Sequence, residues 1–141
     1  MKSEAFTKHE RIVSKKLIDQ IFSGNGSHSQ AAFPLRIVFM ERTFTTEEGT
    51  TAQRPEEEPA VQVLVSVSKR HFKHAVDRNR VKRQVREAYR LNKQLITERV
   101  PADRQLCLTF IWLSDSLMSS DVVTARMKRL LKKILDRELQ Y

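Results

Sequence analysis

Residues 61–93 read VQVLVSVSKRHFKHAVDRNRVKRQVREAYRLNK, and the change of period inside this stretch decides the fold class. Val61, Val63, Val65 and Val67 alternate with Gln62, Leu64, Ser66 and Ser68. A two-residue period rich in β-branched side chains predicts a strand with the valines on one face. From about Ala75 the period lengthens to that of a helix, expected to run to Ile96. Val81, Val85, Ala88, Tyr89, Asn92 and Leu95 share one arc of that helix and should pack on a sheet. Asn79, Lys82, Arg83, Arg86 and Arg90 share another arc, turned toward solvent or a ligand.

Working outward, Ser14 is an N-cap before Leu17, Ile18, Ile21 and Phe22 at helical spacing, and Gly24 is the expected stop. Leu35, Ile37, Val38 and Phe39 predict a strand from Phe33 to about Arg42, with a weakly signalled edge strand near Ser29–Ala31. Residues 43–59 are rich in Thr, Glu and Pro without apolar periodicity, and read as a long, flexible acidic hairpin loop. Beyond the breaker Pro101, the run from Leu106 to Leu113 predicts a buried central strand. A last helix is expected from Ser119–Asp121, carrying Met127, Leu130, Leu131, Ile134 and Glu138. The expected order is α-β-β-β-α-β-α, one α+β domain over residues 1–141 with a small mixed sheet packed against helices.

The chain has 141 residues and a formal charge of +9. Such a charge bears on partners more than on fold, and nucleic acid is the leading one. The charge is gathered. Between Lys69 and Lys93, ten basic residues face only Asp77 and Glu87, a net of +8; the remaining 116 residues carry a net of +1. One cysteine, Cys107, excludes an internal disulfide framework and suits a reducing compartment. The N-terminus shows no secretory signal, and the run from Leu106 to Leu113 is far too short to cross a bilayer. A cytoplasmic location without a membrane partner is expected.

A basic helix face can be merely solvated. Here Arg78, Lys82, Arg86 and Arg90 repel at i,i+4 spacing, a cost that an external polyanion would relieve. Arginine dominates the run, and its planar fork grips phosphate oxygens bidentately. No Gly-rich phosphate loop is present. His71 and His74 lack further ligands at metal spacing, and Asp103, Asp115 and Asp121 form no metal-nuclease pattern. No catalytic residue and no metal ligand is assigned.

Ser66-Val67-Ser68-Lys69 followed by residues 75–90, AVDRNRVKRQVREAYR, resembles the protein component of bacterial ribonuclease P. The family's Arg-Asn-Arg triplet matches Arg78, Asn79 and Arg80, and Lys82, Arg83 and Arg86 match the basic positions after it. Arg11-Ile12, Leu17-Ile18, Ile21-Phe22 and Phe33-Pro34-Leu35 extend the likeness toward the N-terminus. The sequence departs from the pattern at Ile18, where a phenylalanine is common, in lacking a glycine before the basic helix, and in its longer acidic loop.

The resemblance implies a fold similar to the second domain of ribosomal protein S5, with a left-handed βαβ crossover against the usual right-handed rule. It implies a protein subunit that binds a catalytic RNA, which itself removes the 5′ leader from precursor tRNA. On that basis Arg78, Asn79, Arg80, Lys82, Arg83, Arg86 and Arg90 are expected to contact RNA. Phe22, Ser66, Ser68 and Lys69 are expected to border a leader cleft between the sheet and the basic helix. Magnesium ions would be held chiefly by the RNA and substrate, and no obligatory protein partner is expected. A ribosomal-type RNA-binding protein on the same fold, or a DNA-binding helical module, would share the charge pattern without the leader cleft.

Overall fold

Ser14 starts the first helix, α1 (Lys15–Phe22), by accepting a hydrogen bond from the Leu17 backbone N–H at 3.3 Å. The computed structural model describes residues 10–12, 14–23 and 27–137; Gly24 and Glu138, both given helical roles above, lie outside them. Strands β1 (Ser27–Ala32) and β2 (Leu35–Thr45) form an antiparallel hairpin closed at Phe33-Pro34, whose peptide bond is cis. β2 pairs antiparallel with β5 (Arg104–Trp112), and β5 pairs parallel with β4 (Val61–Ser66). Parallel neighbours need a crossover. Helix α2 (Ala75–Asn92) and the short α3 (Gln94–Thr97) supply it, and α4 (Ser120–Arg137) ends the order.

The sheet order is therefore β1-β2-β5-β4, with β5 flanked on both sides. That position explains why Leu106, Leu108, Phe110 and Trp112 belong to one near-continuous apolar run. One face carries Leu35, Ile37, Phe39, Val61, Val63 and Val65, and packs on α2 and α4. Tyr89 of α2 meets Phe110 of β5 at 6.0 Å between ring centroids. Met127, Leu130, Leu131 and Ile134 are fully buried from α4, as their spacing predicts. The opposite face packs Met40 and Cys107 against Leu17 and Ile21 of α1. Helices α1 and α2 thus cover opposite faces.

Three features differ from the sequence reading. The 43–59 connection is a hairpin, but its first part is regular strand: β2 continues to Thr45, and β3 (Thr51–Ala52) pairs back onto Phe44 and Thr45. Gly49 makes the turn at φ +84°, a conformation that costs glycine no Cβ clash. No residue of that hairpin tip is buried, so no apolar alternation marked it. Second, the polar edge strand is longer than its signal, spanning all of β1.

Third, the single helix expected over 75–96 breaks at Lys93. Its ammonium group turns inward to the Glu10 carboxylate, at 3.1 and 3.2 Å, in a buried ion pair. Beyond the break α3 buries Ile96 instead of Leu95. The same N-terminal segment lies along the outer edge of β4, with the Ile12 N–H donating to the Val63 carbonyl at 3.0 Å. It thereby covers part of an otherwise open strand edge.

Candidate nucleic-acid interface

Strand β4 runs directly into α2 through a turn that Ser68 organises. The Ser68 carbonyl accepts from the His71 and Phe72 N–H groups at 3.1 and 3.3 Å. Its hydroxyl accepts from the Arg70 N–H at 3.1 Å. Buried Phe72 anchors the turn, and His71 Nδ1 meets the Asp115 carboxylate at 2.7 Å. Lys69, Arg70 and Lys73 are left exposed. His74 occupies the N-cap of α2 without a side-chain capping bond.

Helix α2 then divides by face. Val81, Val85, Ala88 and Tyr89 are buried. Asn79, Arg80 and Arg83 are exposed, while Lys82, Arg86 and Arg90 are half-buried along the outward arc. Among the described residues, Arg80, Lys82 and Arg83 form no ion pair. Partial burial, and secondarily the Arg11 guanidinium, holds the Arg86 pKa below its ordinary value. Arg90 is engaged with Glu87 by two short hydrogen bonds at 2.6 and 2.9 Å. Arg78 turns back and donates to the Phe72 and Lys73 carbonyls, both at 2.9 Å. Its guanidinium braces the turn that launches the helix.

The expected cleft residues fall partly together. A groove of about 260 Å³ lies between the end of α1 and the sheet, lined by Phe22, Ile21, Ser29, Arg36, Val38 and Ile111. Phe22 is 51% exposed there. Arg36 and Ser66 occupy the two strands beside Ile111 and share its register row, so Ser66 stands at the groove's far side. Ser68 and Lys69 lie beyond the strand end, in the turn toward α2. The groove is therefore on the α1 face of the sheet. It is not between the sheet and the basic helix, because the apolar arc of α2 is packed into the opposite face.

Sequence reasoning missed Arg36. Its guanidinium donates to Ser29 Oγ at 2.9 Å, which fixes a cation in the groove wall. The signal was its position out of phase between Leu35 and Ile37, which puts it on the face opposite theirs. Among the described residues, no three His, Cys, Asp or Glu side chains come together as metal ligands. No described helix is long and apolar enough to cross a membrane.

A protein-family model described as Ribonuclease P matches residues 6–135. A ribonuclease P protein component from Porphyromonas gingivalis is 37% identical over 130 residues, which cover 91% of this chain and 85% of that protein. Another, from Chlorobaculum tepidum, is 30% identical over 148 residues, covering 98% and 88%. The fold is similar to that of the Staphylococcus aureus RNase P protein (TM-score 0.60, 20% identity, 88% of this chain and 94% of that one). It is equally similar to that of the Thermotoga maritima protein (TM-score 0.61, 20% identity, 89% and 97%). With a family match over nearly its whole length and relatives at these identities, the chain belongs to the ribonuclease P protein family.

Proposed function

We propose that this chain binds the catalytic RNA of ribonuclease P through the outward face of α2 and receives the 5′ leader of precursor tRNA in the groove beside α1. The observation that carries the reading is the set of cations on α2 left without carboxylate partners: Arg80, Lys82 and Arg83, with Asn79 as a neutral donor and acceptor among them. Arginine forks there suit phosphate oxygens. Lys69 and Arg70, exposed between strand and helix, extend the positive surface toward the groove. The groove supplies an exposed aromatic ring at Phe22 and a cation at Arg36, the pairing that single-stranded nucleic acid favours.

Chemistry is assigned to the RNA subunit. Magnesium ions serving the reaction would be held chiefly by RNA and substrate. The chain's own contribution is to neutralise phosphate charge and to position the leader. The test is substrate discrimination by the complex reconstituted with a bacterial ribonuclease P RNA. It should bind precursor tRNA carrying a leader more tightly than mature tRNA, and Phe22→Ala should shrink that difference about tenfold, one stacked base at about 1–3 kcal/mol. Equal affinities for the two tRNAs would contradict the groove assignment. A chain that fails to bind the RNA would contradict the whole reading.

A further inference from the structure

Helix α4 carries a second concentration of positive charge. Between Arg126 and Lys133 there are five basic residues and no acidic one. The three other residues of that stretch, Met127, Leu130 and Leu131, are fully buried, so every cation points away from the core. Lys128, Arg129 and Lys132 are exposed. Around the small side chain of Ala125 they border a shallow depression of about 390 Å³, whose far end is lined by Lys133 and a single carboxylate, Asp136. Among the described residues, none of these three forms an ion pair or a hydrogen bond. Their i,i+4 repulsion, Lys128 on Lys132 and Arg129 on Lys133, works against the helix.

Two further cations fix where this face lies. Arg126 Nε donates to the Phe33 carbonyl at 3.1 Å and Lys133 Nζ to the Ala31 carbonyl at 3.2 Å. Both bonds tie α4 to the β1–β2 turn, at one edge of the sheet. Helix α2 packs over β4, at the other edge, where Lys93 meets Glu10. Three strand spacings separate the edges, about 14 Å. The two basic faces thus share one helical layer, yet are distinct surfaces.

We propose that the outer face of α4, built on Lys128, Arg129 and Lys132, is a second RNA-binding surface that takes the sugar–phosphate backbone of a separate segment of the same large RNA. This rests on the reading of the chain as an RNA-binding subunit. Charge complementarity selects the ligand: a compact cluster of unpaired cations around a shallow depression suits a row of phosphates. It carries no sequence readout, because phosphate contacts position without specifying.

The test is the salt dependence of binding to a bacterial ribonuclease P RNA, with three variants beside the wild type. Lys128→Gln/Arg129→Gln/Lys132→Gln should lower the slope of log K against log salt by about two to three units. Arg80→Gln/Arg83→Gln should lower it independently, and the combined variant should show the sum. Lys128→Arg/Lys132→Arg, which keeps the charge, should retain the wild-type slope. An unchanged slope for the α4 triple variant, with a reduced one for the α2 variant, overturns the α4 surface and leaves the α2 reading intact. The reverse pattern overturns the α2 reading and supports the α4 surface. Equal loss in the charge-keeping variant would mean a folding defect and overturn the proposal. Wild-type-strength binding to vesicles of phosphatidylserine, abolished in the triple variant while RNA binding persists, would overturn RNA as the ligand.

Discussion

Arg78 and Arg80 stand two positions apart in one triplet, yet the helix turns them to different tasks. Arg78 is held by two backbone carbonyls of the preceding turn, while Arg80 is exposed. Arg78→Ala should therefore cost about 1–2 kcal/mol of folding stability, measured by denaturant unfolding, since it removes two charge-assisted hydrogen bonds at a partly exposed site. Arg80→Ala should leave stability unchanged and reduce the salt slope of RNA binding by roughly one unit. Cys107 makes a second prediction at this scale. Burial raises its thiol pKa from 9.0 to about 11. A raised pKa contributes stability that is complete below the unfolded value and is lost as pH rises through the folded one. Wild type should lose roughly 2 kcal/mol relative to Cys107→Ala between pH 9 and pH 11. Unfolding midpoints of the two proteins across that range check it; Tyr89, also raised by burial, is common to both. Residue identity alone announced the basic arc. It could not announce that Arg78 bends backward, because its acceptors are main-chain carbonyls that exist only once the turn has formed.

At the scale of elements, legibility followed burial. β4, β5 and α4 present alternation or helical spacing because one face of each is apolar and covered. β1 buries only Ala32, so its sequence, SHSQAA, carries no such period; it becomes a strand by pairing with β2. The break between α2 and α3 was equally silent, since its cause, Glu10, lies 83 residues away from Lys93 in sequence. That buried pair supports a third prediction. Lys93→Met leaves a carboxylate buried without its ammonium partner and should destabilise the fold by about 3–5 kcal/mol. Adding Glu10→Gln should recover much of the loss, because the buried carboxylate charge is then gone. Chemical denaturation of the single and double variants distinguishes this coupling from simple loss of packing.

For the whole molecule, the decisive quantity is where charge lies in space. Averaged along the sequence, the residues outside 69–93 are nearly neutral. Folded, they are polarised: Glu47, Glu48, Glu56, Glu57 and Glu58 sit in the 43–59 connection, while Lys128, Arg129 and Lys132 project from α4. The connection is tied to the stretch entering β5, where the Gln105 amide donates to the Glu58 carboxylate at 3.0 Å and the Arg54 N–H to the Ala102 carbonyl at 2.6 Å. A near-zero sum thus concealed a basic face, and the sheet places that face at the edge opposite α2. The groove side was also beyond the reach of sequence, since it depends on which helix covers which face. What the architecture amounts to is a scaffold presenting cations on two outward helical faces. The most direct measurement is cleavage of a precursor tRNA by a bacterial ribonuclease P RNA at limiting magnesium, with and without the purified chain. The account predicts strong stimulation of 5′-leader removal by the chain, reduced at least tenfold in Arg80→Gln/Arg83→Gln. Cleavage that proceeds at the same rate with the chain as without it would contradict the account.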